Sequence, residues 1–246
     1  MFNYQIIIEY EGTKFIGWQK QKNGSSVQQT IEKNLTKILK ETVLLYGSGR
    51  TDSGVHAIAQ SAHFNLRHKI DNEFFFLNSA NFFLNKKKIS ILKINKRKKN
   101  FHARYSAKKR KYVYMIINRK APLSLESNRA WHIKSSLNLQ LMKKATNLLK
   151  GKKDFSTFRS SSCNASSPIK TLEEVRLISS GDKITIAFKS KSFLQQQVRS
   201  MMGCLKYVGE GKWSLKKFEN IIKSRKRINC APPAPAHGLY LFKVSY

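Results

Sequence analysis

Residues 47–66 read GSGRTDSGVHAIAQSAHFNL and join a glycine-punctuated loop to a β-strand. The glycines of this loop allow sharp turns and a close approach of the backbone to a ligand. The loop carries Asp52, one of 14 acidic residues in a chain with 47 lysines and arginines. Asp is common in turns, so the pattern alone leaves two interpretations of Asp52, a turn former or a reactive carboxylate.

Strand and helix signals alternate on either side of this loop. β-rich segments predict strands at 3–10, 42–49, 57–66 and 88–95, and apolar residues at helical spacing predict helices at 25–39 and 71–84. The basic break NKRKKN at 95–100 is the best candidate for a domain boundary. We therefore predict an N-terminal half at 1–100, which carries the Asp52 loop, and a C-terminal half at 101–246.

The second half repeats this alternation. Its patterns predict strands at 107–118 and 237–246, a hairpin around 180–182, and helices at 138–151, 193–211 and 214–224, the first of which ends at Gly151. The predicted fold class is α+β, with two similar α+β halves in which a mixed or antiparallel sheet is flanked by helices.

The formal net charge of +33 is the most unusual feature of the composition. Such an excess repels itself in a compact fold, and a nucleic acid would relieve the repulsion. The alternative is a compositional drift towards lysine. No apolar run approaches the roughly 18 residues of a membrane span, and the three cysteines lie far apart. We therefore expect a cytoplasmic protein that needs no membrane.

The segment FHARYSAKKRKYVYMI, residues 101–116, interleaves cations with tyrosines. Arg104 and Lys111 are candidates to bind phosphates, and the tyrosine rings could stack on unpaired bases. The alternative is an ordinary basic strand whose tyrosines are half buried. Arg199 lies on an otherwise apolar helix, where it either pairs with a carboxylate or phosphate or extends to solvent at the helix edge.

The sequence offers little support for a bound metal or nucleotide. The histidines do not fall at a metal-binding spacing, so we expect no metal site. The chain also lacks a glycine-rich phosphate loop followed by Lys and Ser or Thr, and we expect no nucleotide cofactor.

Six segments, in this order along the chain, resemble the motif set of the tRNA pseudouridine synthase A family. They are YEGTKFIGWQKQ, GRTDSGVHAIAQSAHF, FHARYSAKKRKYVYMI, KDFSTFRS, FLQQQVRSMMG and APPAPAHGLYL. The resemblance covers nearly the whole chain, and GRTDSGVHA is its most specific part. It implies an isomerase that converts uridine to pseudouridine in the anticodon stem-loop of tRNA, without cofactor or metal, after the base is flipped out of its stack.

The resemblance also implies roles for single residues. Asp52 becomes the nucleophile, which either adds to the uracil ring or assists cleavage at the sugar. Tyr112 stacks on the target base and helps to remove its C5 proton, and Arg199 orients the nucleophile. Leu239 forms an apolar wall of the pocket, and Arg50 fills the space that the flipped base leaves.

By the same resemblance, the two halves meet in a central basic RNA-binding cleft, and the protein acts as a homodimer. The chain departs from the family pattern at Glu11, Lys153 and Gln197, where Asp, His and Met are usual. Two alternatives stay open, namely a non-catalytic RNA-binding protein and a synthase that acts on another RNA.

Overall fold

The computed structural model describes residues 1–246. The ten strands are β1 Phe2–Tyr10, β2 Tyr46–Gly47, β3 His56–Leu66, β4 Ile89–Arg97, β5 Lys109–Asn118, β6 Trp131–Ile133, β7 Gly151–Asp154, β8 Ile169–Ser180, β9 Lys183–Ser190 and β10 Leu239–Ser245. The five α-helices are α1 Val27–Leu39, α2 Glu73–Leu84, α3 Leu139–Leu148, α4 Gln197–Gly209 and α5 Leu215–Ser224. Single turns of 3-10 helix lie at Gly12–Lys14, Asn85–Lys87, Ser156–Phe158, Arg227–Asn229 and Ala236–Gly238.

The chain folds into two compact units. They are residues 1–108 with 240–246, and residues 109–239. The boundary predicted at residue 100 lies inside the first unit, because the segment that follows it is bound there. Asn3 Nδ2 donates to the Phe101 carbonyl at 2.8 Å, and the Lys108 N–H donates to the Ser245 carbonyl at 2.8 Å. The last strand thus returns to the unit in which the chain began.

The sheet of the first unit has the order β4-β1-β3-β10, with β2 paired to β3. β1 is antiparallel to β3 and β4, whereas β10 is parallel to β3, so the sheet is mixed. Ile6 lies at its centre, paired with Ala62 and Ile94 and inaccessible to solvent. Helix α1 begins at Ser26, whose hydroxyl accepts from the Gln29 N–H, as is typical of helix N-caps.

The sheet of the second unit has the order β5-β9-β8-β7, with β6 paired to β5. All pairs are antiparallel except β5 with β6. Helices α3, α4 and α5 contact one another in this unit. Phe155, Phe158, Phe188 and Phe218 are fully buried in its core. The predicted α+β class, with mixed sheets and flanking helices, is confirmed.

One predicted strand and one predicted helix end were wrong. The strand predicted at 42–49 is reduced to β2, because side chains of α1 take the backbone N–H groups before it. Val43 N–H donates to Thr36 Oγ1 and Leu45 N–H donates to Glu32 Oε1, both at 3.0 Å. Gly151 does not end α3; it begins β7 with a φ of +93°, which favours glycine.

None of the helices combines the length and the hydrophobicity that a membrane span requires. The central basic cleft that the resemblance implies stays a prediction.

Candidate active site

Asp52 lies half-buried on the loop between β2 and β3, and backbone hydrogen bonds fix this loop. The Thr51 carbonyl accepts from the Trp18 N–H at 3.1 Å, and the Asp52 carbonyl accepts from the Val55 N–H at 3.2 Å. The Thr51 hydroxyl also bonds the Tyr10 hydroxyl at 2.8 Å. The main chain on both sides of the carboxylate is therefore held by the first unit.

Two glycines of the motif EGTKFIGWQ allow its backbone to approach the Asp52 loop closely. A Cβ on Gly12 would lie 2.0 Å from the Val55 carbonyl oxygen, and a Cβ on Gly17 would lie 2.6 Å from the Thr51 carbonyl oxygen. Gly17 also has a φ of +114°, which side chains rarely tolerate. The motif EGTKFIGWQ thus forms the support on which the Asp52 loop rests.

A buried polar network holds the other side of the loop. The Ser48 hydroxyl donates to Gln60 Oε1 at 2.7 Å, and Gln60 Nε2 donates to the Gly49 carbonyl at 2.8 Å. Gln60 Oε1 also accepts from the Ser61 N–H at 3.1 Å. Gln60 is completely buried, and buried polar side chains are normally satisfied in this way. The network connects the loop to β3.

His56 and Arg50 complete the surroundings of the loop. His56 is buried at the start of β3, where its Nδ1 accepts from the Gly12 N–H at 3.0 Å and its ring stacks on Tyr240 at 4.8 Å. Arg50 is exposed, and its Nε donates to Gln19 Oε1 at 3.0 Å. Arg50 and Asp52 thus share one loop, as predicted, with the Arg50 side chain held towards the first motif.

Arg199 lies half-buried in the first turn of α4. Its Nε donates to the Ala234 carbonyl at 2.8 Å, and the Ala234 N–H donates to the Arg199 carbonyl at 2.9 Å. This reciprocal pair ties both the side chain and the backbone of Arg199 to the segment at Ala234. Burial lowers the pKa of nearby His237, and the positive charge of Arg199 lowers it further.

Tyr112 and Leu239 are both largely buried, at 8% and 6% exposure. The Tyr112 ring packs edge-on against Phe193 with 5.1 Å between ring centroids. Tyr114, which follows on the same strand, donates its hydroxyl to the Pro235 carbonyl at 2.7 Å. Burial raises the pKa of Tyr114. Tyr114 therefore anchors the segment that leads to Leu239.

The remaining predicted residues have different surroundings. Lys111 Nζ lies 3.4 Å from Glu174 Oε1 in a partly exposed ion pair. Arg104 is exposed on a turn, away from regular structure. Gln197, where the family pattern has Met, is completely buried, and its Oε1 accepts from the Leu194 N–H at 2.8 Å. This departure supplies one hydrogen bond to the segment just before α4, whereas its buried Nε2 has no partner.

Sequence reasoning missed the residues that support the site, among them Tyr10, Trp18, Gln60 and Tyr114. Their signal in the sequence was weak because Tyr10, Trp18 and Tyr114 act through partners far along the chain. The glycines of EGTKFIGWQ were the one available sign that a backbone comes close. In the structure, no three His, Cys, Asp or Glu side chains cluster in a way that could hold a metal ion.

Comparison with known proteins identifies the family. The sequence profile of a family described as "tRNA pseudouridine synthase" matches residues 6–106 and 145–246. A protein of Pelagibacter ubique named "tRNA pseudouridine synthase A" is 60% identical over 246 residues and covers 100% of both chains. Proteins of the same name from Maricaulis maris and Ehrlichia chaffeensis are 41% and 43% identical, with at least 98% of each chain covered. The resemblance inferred from the six motifs is thereby confirmed, and the chain belongs to the tRNA pseudouridine synthase family.

Proposed function

We propose that this protein isomerises uridine to pseudouridine in the anticodon stem-loop of tRNA, with Asp52 as the nucleophile. The observation that supports this proposal most directly is the fixed backbone around Asp52, whose neighbour Thr51 is bound by Trp18 and Tyr10. A nucleophile on a fixed backbone is oriented before the substrate arrives, which lowers the entropic part of the barrier.

The proposed reaction leaves the composition of the substrate unchanged. The bond from the sugar C1′ to N1 breaks, a bond from C1′ to C5 forms, a proton leaves C5 and N1 gains one. The uridine must first leave its stack, at a cost of about a few kcal/mol. A carboxylate is an established covalent nucleophile, and both routes for Asp52, addition to the ring and assistance at the sugar, fit this balance.

The other roles follow from the family motifs. Tyr112 stacks on the target base and helps to remove the C5 proton, and Leu239 forms the apolar wall. Arg199 orients the nucleophile, and the bond from its Nε to the Ala234 carbonyl suits this task because it holds the side chain while the terminal nitrogens can pair with a carboxylate. Arg50 occupies the space that the flipped base leaves.

We assign the binding of RNA phosphates to Arg104 and Lys111. Lys111 would exchange Glu174 for a phosphate, and this exchange costs little because partly exposed ion pairs are worth at most about 1 kcal/mol. The net charge of +33 favours the same polyanionic partner.

We carry over from the family a cytoplasmic homodimer in which one tRNA touches both subunits. Sedimentation with and without tRNA tests this assembly. A monomer that modifies tRNA at the full rate would contradict it.

A single-turnover assay tests the reaction. Unmodified tRNA transcript is incubated with wild-type protein or with Asp52→Ala, without metal or nucleotide, and pseudouridine is mapped by position. We expect product in the anticodon stem-loop with wild type only. The matched control is Asp182→Ala, which removes an exposed carboxylate of the hairpin turn and should retain full conversion.

Three results would overturn the proposal in different ways. Pseudouridine formed by Asp52→Ala would show that Asp52 is not the nucleophile. Product from wild type in ribosomal RNA but not in tRNA would change the substrate. Tight tRNA binding without product in either RNA would favour a non-catalytic RNA-binding protein.

A further inference from the structure

The three tyrosines of the basic segment 101–116 differ sharply in exposure. Tyr112 and Tyr114 are 8% and 0% exposed, whereas Tyr105 is 76% exposed. The segment thus divides into a strand whose tyrosine rings are buried and a turn whose ring reaches solvent. Tyr105 is the member of this set whose side chain is exposed to solvent.

Tyr105 stands at the outer end of a series of ring contacts. Its ring centroid lies 4.4 Å from that of His102, which lies 4.6 Å from that of His63. The His63 ring in turn stacks on Tyr46 at 5.2 Å. Tyr46 opens β2, the strand that leads directly into the loop of Asp52. The exposed Tyr105 ring therefore packs on a series of other rings that ends at Tyr46, just before the Asp52 loop.

Hydrogen bonds hold the turn that carries Tyr105. The Ala103 N–H donates to His63 Nδ1 at 3.1 Å, and the Ala103 carbonyl accepts from the Tyr246 hydroxyl at 2.8 Å. The Arg104 N–H donates to His102 Nδ1 at 3.1 Å. Burial lowers the pKa of both histidines, which keeps each Nδ1 available as an acceptor at neutral pH. A turn fixed in this way loses little conformational entropy when a ligand binds.

A cation lies over the exposed ring. The Arg104 guanidinium carbon lies over the Tyr105 ring, 5.6 Å from its centroid, so a stacking base would take its place as the guanidinium turns to the phosphate. An aromatic face next to a cation is the combination that binds single-stranded nucleic acid, since the ring stacks on a base and the cation neutralises the adjoining phosphate. Double-stranded RNA offers no open base face to such a ring.

We propose that Tyr105, supported by His102, is a stacking platform for an unpaired base of the substrate RNA, other than the target uridine, and that Arg104 binds the adjoining phosphate. The identity of the RNA rests on the proposed function. The geometry of the platform does not depend on it.

The test measures the affinity and the fluorescence of an anticodon stem-loop hairpin with 2-aminopurine at one unpaired position at a time. Every protein carries Asp52→Ala so that no uridine is converted. Tyr105→Ala should raise the dissociation constant about 5- to 150-fold, because base stacking on an aromatic ring is worth about 1–3 kcal/mol. The same substitution should abolish the quenching of 2-aminopurine fluorescence at one position of the loop. Tyr105→Phe should keep both the affinity and the quenching.

Two further variants make the test specific. Tyr105→Leu keeps apolar bulk without an aromatic face and should behave like Tyr105→Ala. Phe74→Ala removes a ring of similar exposure, 74%, on α2 and should bind like the parent protein.

Parental affinity and quenching in Tyr105→Ala or Tyr105→Leu would overturn the platform. Its failure is distinguishable from failure of the proposed function, because conversion of tRNA by wild-type protein is measured separately.

Discussion

Replacement of Gln60 by Leu tests whether the buried network positions the Asp52 loop. Leu has a similar volume but none of the polar atoms, so it removes the hydrogen bonds of Gln60 with Ser48, Gly49 and Ser61. At about 1 kcal/mol for each bond, we expect the free energy of unfolding to fall by about 3 kcal/mol. That is a large part of the roughly 5–15 kcal/mol by which proteins of this kind are stable.

The same change should slow the reaction. Ser48 and Gly49 lie at the start of the loop that carries Asp52, and loss of their bonds lets this loop move. Because a displacement of about 1 Å at a reacting group can cost about 100-fold, we expect the single-turnover rate with saturating protein to fall about 10- to 100-fold.

Equilibrium urea denaturation and single-turnover formation of pseudouridine give the two numbers. Ser48→Ala removes one of the three bonds and should cost about 1 kcal/mol. Gln140→Leu, on the exposed face of α3, is the matched control and should change stability by less than about 0.5 kcal/mol. If Gln60→Leu loses less than about 1 kcal/mol and keeps the wild-type rate, the network does not position the loop.

Two further predictions concern His63 and Arg199. Burial and the neighbouring His102 lower the pKa of His63 from 6.5 to about 4. The unfolded chain therefore binds more protons as the pH falls from 6.5 to 4, and stability should decrease by about 3 kcal/mol over that window. Denaturation at both pH values should show a smaller decrease for His63→Gln, and an equal decrease would contradict the assignment. Arg199→Lys keeps the charge but loses the Nε–H that donates to Ala234, so we expect a single-turnover rate about 10- to 100-fold lower. Arg176→Lys, on an exposed face of β8, should keep the rate; a normal rate in Arg199→Lys would show that charge alone suffices.

Local patterns were enough to predict most of the elements. The strand at β1 and the helices at α1 and α2 were all predicted from composition and periodicity, which act over a few residues. The strand expected at 42–49 failed for a tertiary reason. Its residues have the composition of a strand, but the side chains of Thr36 and Glu32 compete for their backbone groups.

The residues of the candidate site likewise divide into those that the sequence predicted and those that it did not. The loop of Asp52 was predicted because its residues are consecutive and resemble a specific motif. Its supports were not, since Tyr10 bonds Thr51 from 41 residues away and Tyr114 bonds Pro235 from 121 residues away. The order of residues in the chain carries no direct record of such pairs.

Gln197 shows how a departure from a motif can be interpreted once its contacts are known. From the sequence, this amide stood only as a departure from the family pattern, two residues before Arg199. In the structure its Oε1 binds the Leu194 N–H, at the point where the chain turns into α4 through a left-handed residue, Gln196. A left-handed non-glycine residue costs of order 1 kcal/mol, and a buried hydrogen bond next to it offsets a cost of that size. The Nε2 of Gln197 is also buried but has no hydrogen-bond partner, and a buried unpaired donor costs about 1–3 kcal/mol. Gln197 therefore ties the turn before Arg199 to α4 without a net gain in stability.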